Sequence, residues 1–253
     1  MKKGLIILSN GTADLEALDR YENVIKSVDT SKYKQVIKAF SSEKIIGKLK
    51  SRYDLKVPNL SEALEQLITS GIEEISVATL FLIEGKEYEE AKNLVNEYRV
   101  KNKSIRFNIS HGALIEKDKL RYCEFINRIK TMLNKEDEIV MVAHGSSHSA
   151  KVSYCELEER LSEEGYSNVH IAAIEGEPSF EQIVNKLRER NVSSVLLQPL
   201  LFVLGFHGKR DLLSDNENSW KSRLSKEGFE VKISYKVLSE IEEVMDFIIN
   251  NID

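Results

Sequence analysis

The chain has 253 residues, 42% of them hydrophobic and 30% charged, enough apolar material for one large domain or two small ones. A net charge of -5 and a pI near 5.7 argue against a nucleic-acid backbone as the main partner, which calls for clustered Lys and Arg. The two cysteines, Cys123 and Cys155, have no metal-site spacing, and no apolar run reaches the length of a membrane span or a signal-peptide core, so the expectation is a cytoplasmic protein that binds no membrane.

Taken in chain order, short branched apolar runs at 5–9 (LIILS), 36–40 (VIKAF), 73–83 (EEISVATLFLI) and 104–109 (SIRFNI) read as strands. Between them, residues 15–28, 43–53 and 60–71 carry apolar side chains at helical spacing. A helical stretch, LRYCEFINRIKTML, then leads into the charged NKEDE. The second half repeats the alternation, with strands expected at 138–144, 169–175, 192–204 and 229–238. Pro199, inside the third of these runs, predicts that the strand ends there. Strand, helix, strand, helix with no tight hairpin signal means α/β architecture with parallel sheets flanked by helices.

The two halves also align with each other. At an offset of 134 residues, 5–12 falls on 139–146, pairing Asn10 with His144 and Gly11 with Gly145; the same offset pairs Ser41 with Glu175. At an offset of 120, residues 67–87 fall on 187–207, pairing Gly85 with Gly205 and Glu87 with His207. Two related α/β domains follow, at 1–118 and 137–253, joined by a connecting helix and linker at 119–136.

Ligands of open parallel sheets bind beyond the carboxyl ends of the strands. His144 and Glu175 end strands there, and His207 and Glu87 follow the third strand of each half. Each has a plainer reading: a hydrogen-bonded structural histidine, a turn carboxylate, or an acidic helix start. His148 is an accessory candidate, whereas His111 and His170 read as structural. There is no GxSxG elbow, phosphate loop, dinucleotide fingerprint or four-ligand zinc cluster. An open nitrogen-and-oxygen site remains, suited to holding a divalent ion loosely and taking up protons near neutral pH.

Along nearly its whole length the chain resembles the anaerobic, ATP-independent sirohydrochlorin cobaltochelatases, the class II tetrapyrrole chelatases. The matching stretches include LSNGT (8–12), GKEYEE (85–90), VAHGSSHSA (142–150), IEGEPSFEQIVNKL (174–187), QPLLFVLGFHGKRDL (198–212) and DNENSWKSRL (215–224). The resemblance implies two flavodoxin-like, chelatase-like domains related by a pseudo-twofold axis, with a tetrapyrrole cleft between them. It further implies that His144 and His207 hold the metal and accept pyrrole protons, assisted by Glu87, with Glu175 as a further metal-site acid. Substrate contacts are expected from Asn10, Thr12, Phe81 and Ser146, and from His148, Phe206 and Arg210.

The implied activity is insertion of a divalent ion, with Co2+ first and Fe2+ or Ni2+ as alternatives, into sirohydrochlorin or a related ring for corrinoid biosynthesis. No cofactor is expected beyond that substrate ion, and a homo-oligomer is compatible with the reading. Haem iron removal and a non-catalytic tetrapyrrole or metal carrier of the same fold are the alternatives. The family commonly has histidine where Phe81 stands, and GDHAxND where this chain reads GFHGKRD. Those departures imply a more apolar cleft and, at Lys209 and Arg210, cations able to meet a substrate carboxylate.

Overall fold

A computed structural model describes residues 1–253 except Val28, Asn251 and Asp253, and describes only the backbone of Val24, Ser27 and His207. The first half runs β1 (Lys3–Ser9), α1 (Leu15–Ser27), β2 (Gln35–Phe40), α2 (Glu43–Tyr53), α3 (Leu60–Thr69), β3 (Glu74–Thr79), α4 (Lys86–Lys101) and β4 (Arg106–Ile109). Then come α5 (Lys119–Arg128), β5 (Glu138–Gly145), α6 (Val152–Glu163), β6 (Val169–Glu175), α7 (Phe180–Glu189) and β7 (Ser194–Pro199). The chain finishes with a single turn α8 (Phe206–Gly208), α9 (Trp220–Lys226), β8 (Glu230–Ile233) and α10 (Glu242–Asn250).

The strands form two parallel four-stranded sheets, ordered β2-β1-β3-β4 and β6-β5-β7-β8. In the first, Ile6, Leu8, Ile37, Ala39 and Val77 turn one face toward Leu60, Leu64 and Leu67 of α3 and Tyr88 and Val95 of α4. Leu5 and Ile7, alternating to the other face, are also fully buried, as a parallel sheet covered on both sides requires. In the second, Val140, Val142, Ala172, Val195 and Leu197 pack against Phe180, Ile183 and Leu187 of α7 and against Leu204, Leu212 and Trp220.

The backbone divides into two compact units, Met1–Ala113 with Met245–Asp253, and Leu114–Val244. The sequence instead suggests a linker at 119–136 and a second domain running to 253. Three contacts account for the difference. The Tyr122 hydroxyl of α5 donates to Glu156 of α6 at 2.7 Å, which ties α5 to the second unit. At the other end Ile252 bridges Ser110, and Lys32 Nζ donates to Asn250 Oδ1 at 3.3 Å, which ties the end of α10 to the first.

The internal repeat is physical. Leu80 N–H donates to Leu8 O, as Leu200 N–H does to Val142 O, and Ser110 N–H donates to Val77 O, as Ser234 N–H does to Leu197 O. Gly85 and Gly205 are both extended N-caps opening helices, as the offset of 120 pairs them. The β2/β6 match needs a shift of one residue. Phe40 N–H donates to Pro58 O, and Ala173 N–H to Pro178 O, so Glu175 corresponds to Ser42 rather than Ser41. The apolar runs at 73–83, 192–204 and 229–238 all overestimate their strands, because Leu80, Phe81, Leu204 and Leu238 leave the sheet and bury themselves in the cores beside it.

Candidate active site

In the second unit, residues 139–143 are completely buried and exposure begins at His144. Strand alternation puts His144 on the face of Val140 and Val142. That face is covered by Leu204, Leu212 and Leu213, which flank His207 in the chain. The segment bearing His207 therefore packs on the face to which His144 points; the His207 side chain itself lies outside the described residues.

Gly145 stands beside Glu175 in the β5–β6 register, with φ +95°. A Cβ there would fall 1.8 Å from Glu175 O, so only glycine permits the two strands to stay paired to their last residues. Glu175 thus reaches the same sheet edge as His144. Its neighbour Ile174 packs on the face of Val142, and alternation sends the Glu175 carboxylate to the opposite face. The structure brings the two residues to one edge and not to one face.

Ser146 and His148 serve the turn that follows. Ser146 Oγ accepts from His148 N–H at 3.0 Å, and His148 Nδ1 accepts from Ala150 N–H at 3.2 Å. An accepting Nδ1 places the ring N–H on Nε2 in the neutral tautomer. Phe206 is 62% exposed, an aromatic face on a single helical turn. Arg210 lies in a π-helical segment, Lys209–Leu213, and its Nε donates to Asp211 at 2.6 Å.

In the first unit, Asn10 is exposed and its Oδ1 accepts from Ser41 Oγ at 2.7 Å. Glu87 is exposed in the first turn of the 16-residue α4, where an acid is favourable to the helix dipole. Two expected substrate contacts have internal roles here. Thr12 is buried and accepts from Asp14 N–H at 3.1 Å, shaping the entry to α1. Phe81, 7% exposed, lies in the core cluster under α3 and α4.

One pair at this edge has no part in the sequence-derived site. Beyond β4, His111 Nδ1 lies 2.6 Å from Glu84 Oε1. The signal was available: Ser110-His111-Gly112 repeats the strand–histidine–glycine pattern of Ala143-His144-Gly145. His170, by contrast, is buried at the amino end of β6 and bonded to Glu138 at 2.8 Å, a structural role in keeping with the sequence reading.

Among the described residues, no three His, Cys, Asp or Glu side chains gather tightly enough to form a metal cage. The exposed groups described at the carboxyl edges of the two parallel sheets include the His144 imidazole and the Glu87 and Glu175 carboxylates. Fold and site together define a two-unit α/β protein with exposed polar side chains at the carboxyl edges of its parallel sheets.

The family description "Cobalt chelatase (CbiK)" matches residues 3–253, and the chain belongs to that family. It is a metal chelatase, acting on a tetrapyrrole and a metal ion. A sirohydrochlorin cobaltochelatase of Salmonella typhimurium is 26% identical over 236 residues, covering 90% of this chain and 86% of the relative. The sirohydrochlorin cobaltochelatase CbiKC of Nitratidesulfovibrio vulgaris is 24% identical over 193 residues, covering 76% of this chain and 68% of that one. Among solved structures, SirB from Bacillus subtilis with Fe3+ superposes with a TM-score of 0.66 at 15% identity, over 99% of this chain and 94% of that one. A SirB structure in complex with cobalt gives 0.62 at 12% identity with the same coverage. At those identities the likeness is one of fold. No helix among the described residues is long and apolar enough to cross a membrane.

Proposed function

We propose that this chelatase inserts Co2+ into sirohydrochlorin without ATP, on the route to corrinoids. The observation that carries the site is His144: an exposed imidazole ending a fully buried strand, at an edge that only Gly145 allows to stay paired with Glu175. The matches to cobaltochelatases over most of the chain support the metal and the ring.

Insertion replaces two pyrrole N–H protons by one divalent ion. His144 and His207 hold the ion through neutral imidazole nitrogens, and once the ion has left them they can take up a pyrrole proton. Glu87 and Glu175 balance charge at the two sheet edges and pass protons to water. Exposed Phe206 offers an apolar surface to the ring. Cys123 and Cys155, both free thiols, fit a reducing cytoplasm.

Anaerobic incubation with sirohydrochlorin and Co2+, Ni2+ or Fe2+, followed by absorbance, tests the reading. Cobalt is expected to give the highest initial rate, and His144→Ala or His207→Ala to lower it by about 100-fold. Full rates in both variants would overturn the assignment of these residues. Tight stoichiometric binding without turnover would instead identify a carrier.

A further inference from the structure

We propose that His111 and Glu84 form a second proton-accepting dyad for metal insertion, in the first unit and outside the metal ligands. The inference rests on the chelatase reading above and deepens it. An imidazole nitrogen whose lone pair is on the ion cannot take a proton at that atom. The first pyrrole proton, lost while the ion is still held, therefore needs a base elsewhere.

The geometry is that of a carboxylate–histidine pair. His111 Nδ1 lies 2.6 Å from Glu84 Oε1, and their side chains are 41% and 21% exposed. An ionised carboxylate only accepts, so the Nδ1 proton faces Glu84 and the Nε2 lone pair is left outward as the base. The dyad is held in place from behind. Buried Thr79 donates its N–H to Ser110 Oγ at 2.8 Å, and its hydroxyl reaches His111 O at 3.3 Å. Ala113 N–H donates to Phe81 O at 2.9 Å, and a Cβ on Gly112 would press on Ile83 and Glu84 at 3.2–3.3 Å. The loop carrying Glu84 and the strand end carrying His111 are thus fastened together.

Its position suits a substrate role. Phe107 and Ile109 pack in the same core cluster as Ile6 and Leu8, so alternation carries His111 to the face and edge that Asn10 occupies. Two strand spacings, about 10 Å, separate the lines of β1 and β4, a span a macrocycle covers. Glu84 immediately precedes Gly85, the N-cap of the helix bearing Glu87.

The fold does not require the pair. By the hydrogen bonds the two units share, His111 corresponds to Tyr235, Glu84 to Leu204 and Thr79 to Pro199, and the second unit forms the same sheet with none of them. A partly exposed hydrogen bond of this kind also adds little to stability. In the reaction, a pyrrole N–H bond breaks and its electron pair stays on nitrogen to bind the incoming ion. The proton goes to His111 Nε2, giving an imidazolium held by the Glu84 carboxylate and then discharged to water.

Initial rates of Co2+ insertion into sirohydrochlorin by the full-length protein test this, alongside Co2+ binding without tetrapyrrole. His111→Ala is expected to lower kcat about 100-fold with Co2+ affinity unchanged, and added imidazole to restore part of the rate. Glu84 is a positioning residue: Glu84→Gln is expected to lower kcat about tenfold and to change the 15N shifts that report the His111 tautomer. A His111→Ala variant that is folded by circular dichroism and keeps kcat within twofold overturns the inference while leaving the chelatase assignment intact. So does a variant whose only defect is weaker Co2+ binding. Absence of turnover by the unaltered protein overturns both.

Discussion

A methyl group on Gly145 would sit 1.8 Å from the carbonyl oxygen of Glu175, and the residue's φ of +95° disfavours any L side chain. Gly145→Ala is expected to cost about 2–4 kcal/mol in urea denaturation and to separate β5 from β6 at the site. Gly11, its counterpart in the first unit, also has a positive φ, but the clash there is with the Phe40 ring, at 2.4 Å. The two glycines are one feature of the repeat with two local reasons. At the opposite end of the second sheet, burial pushes the Glu158 carboxyl up, yet the nearby His170 ring and hydrogen bonds from Lys186 and the Ile171 N–H outweigh it and hold the group below the ordinary range. A carboxylate with a lowered folded pKa contributes stability above its unfolded pKa of about 4.3 and loses it as pH falls through the folded value. Chemical denaturation between roughly pH 5 and pH 3 should therefore show stability falling, with a flatter profile in Glu158→Gln.

Helix starts carry the repeat more clearly than helix interiors. Asn59 and Glu62 form a capping box on α3, and Ser179 and Gln182 form one on α7, at the same offset of 120 residues as Gly85 and Gly205. Each cap side chain satisfies a backbone N–H that the first turn leaves open. Ser179→Ala should cost about 1 kcal/mol, seen as a lowered Tm, with the metal-insertion rate preserved. The sequence alignment missed that α2, eleven residues long, has no counterpart in the second unit, where β6 passes almost directly into α7. That insertion breaks the offset of 134 after β2 and explains why the two matched blocks needed different offsets. Strand lengths are hidden in the sequence for a separate reason. A run such as EEISVATLFLI is apolar throughout, and nothing in it marks where sheet burial at Thr79 gives way to core burial at Phe81.

For the whole molecule, the metal ion is a substrate and should not be part of the folded framework. Each unit has its own large cluster of buried apolar side chains, beside which a loosely held substrate ion contributes little folding energy. Treatment with a strong chelator is therefore expected to leave Tm unchanged in a thermal scan while abolishing insertion until metal is returned. A chelator-induced fall in Tm would show that a resident ion supports the fold.

Two parallel α/β sheets, their internal repeat, and the placing of His144 at a strand end were legible in the sequence, because burial and periodicity are written residue by residue. Chelatase membership was legible from the spacing of several motifs together. Tertiary structure alone decided which edge residues share a face. Glu175 is the register partner of Gly145, one residue past His144, so alternation turns the His144 and Glu175 side chains to opposite faces, whereas Glu84 and His111, 27 residues apart in the chain, meet at 2.6 Å. It also moved Thr12 and Phe81 from expected substrate contacts to a turn and a core. The reason is physical: local sequence sets which residues are buried and where a strand stops, but contact between side chains depends on how separate strands and loops pack, and no local pattern encodes that.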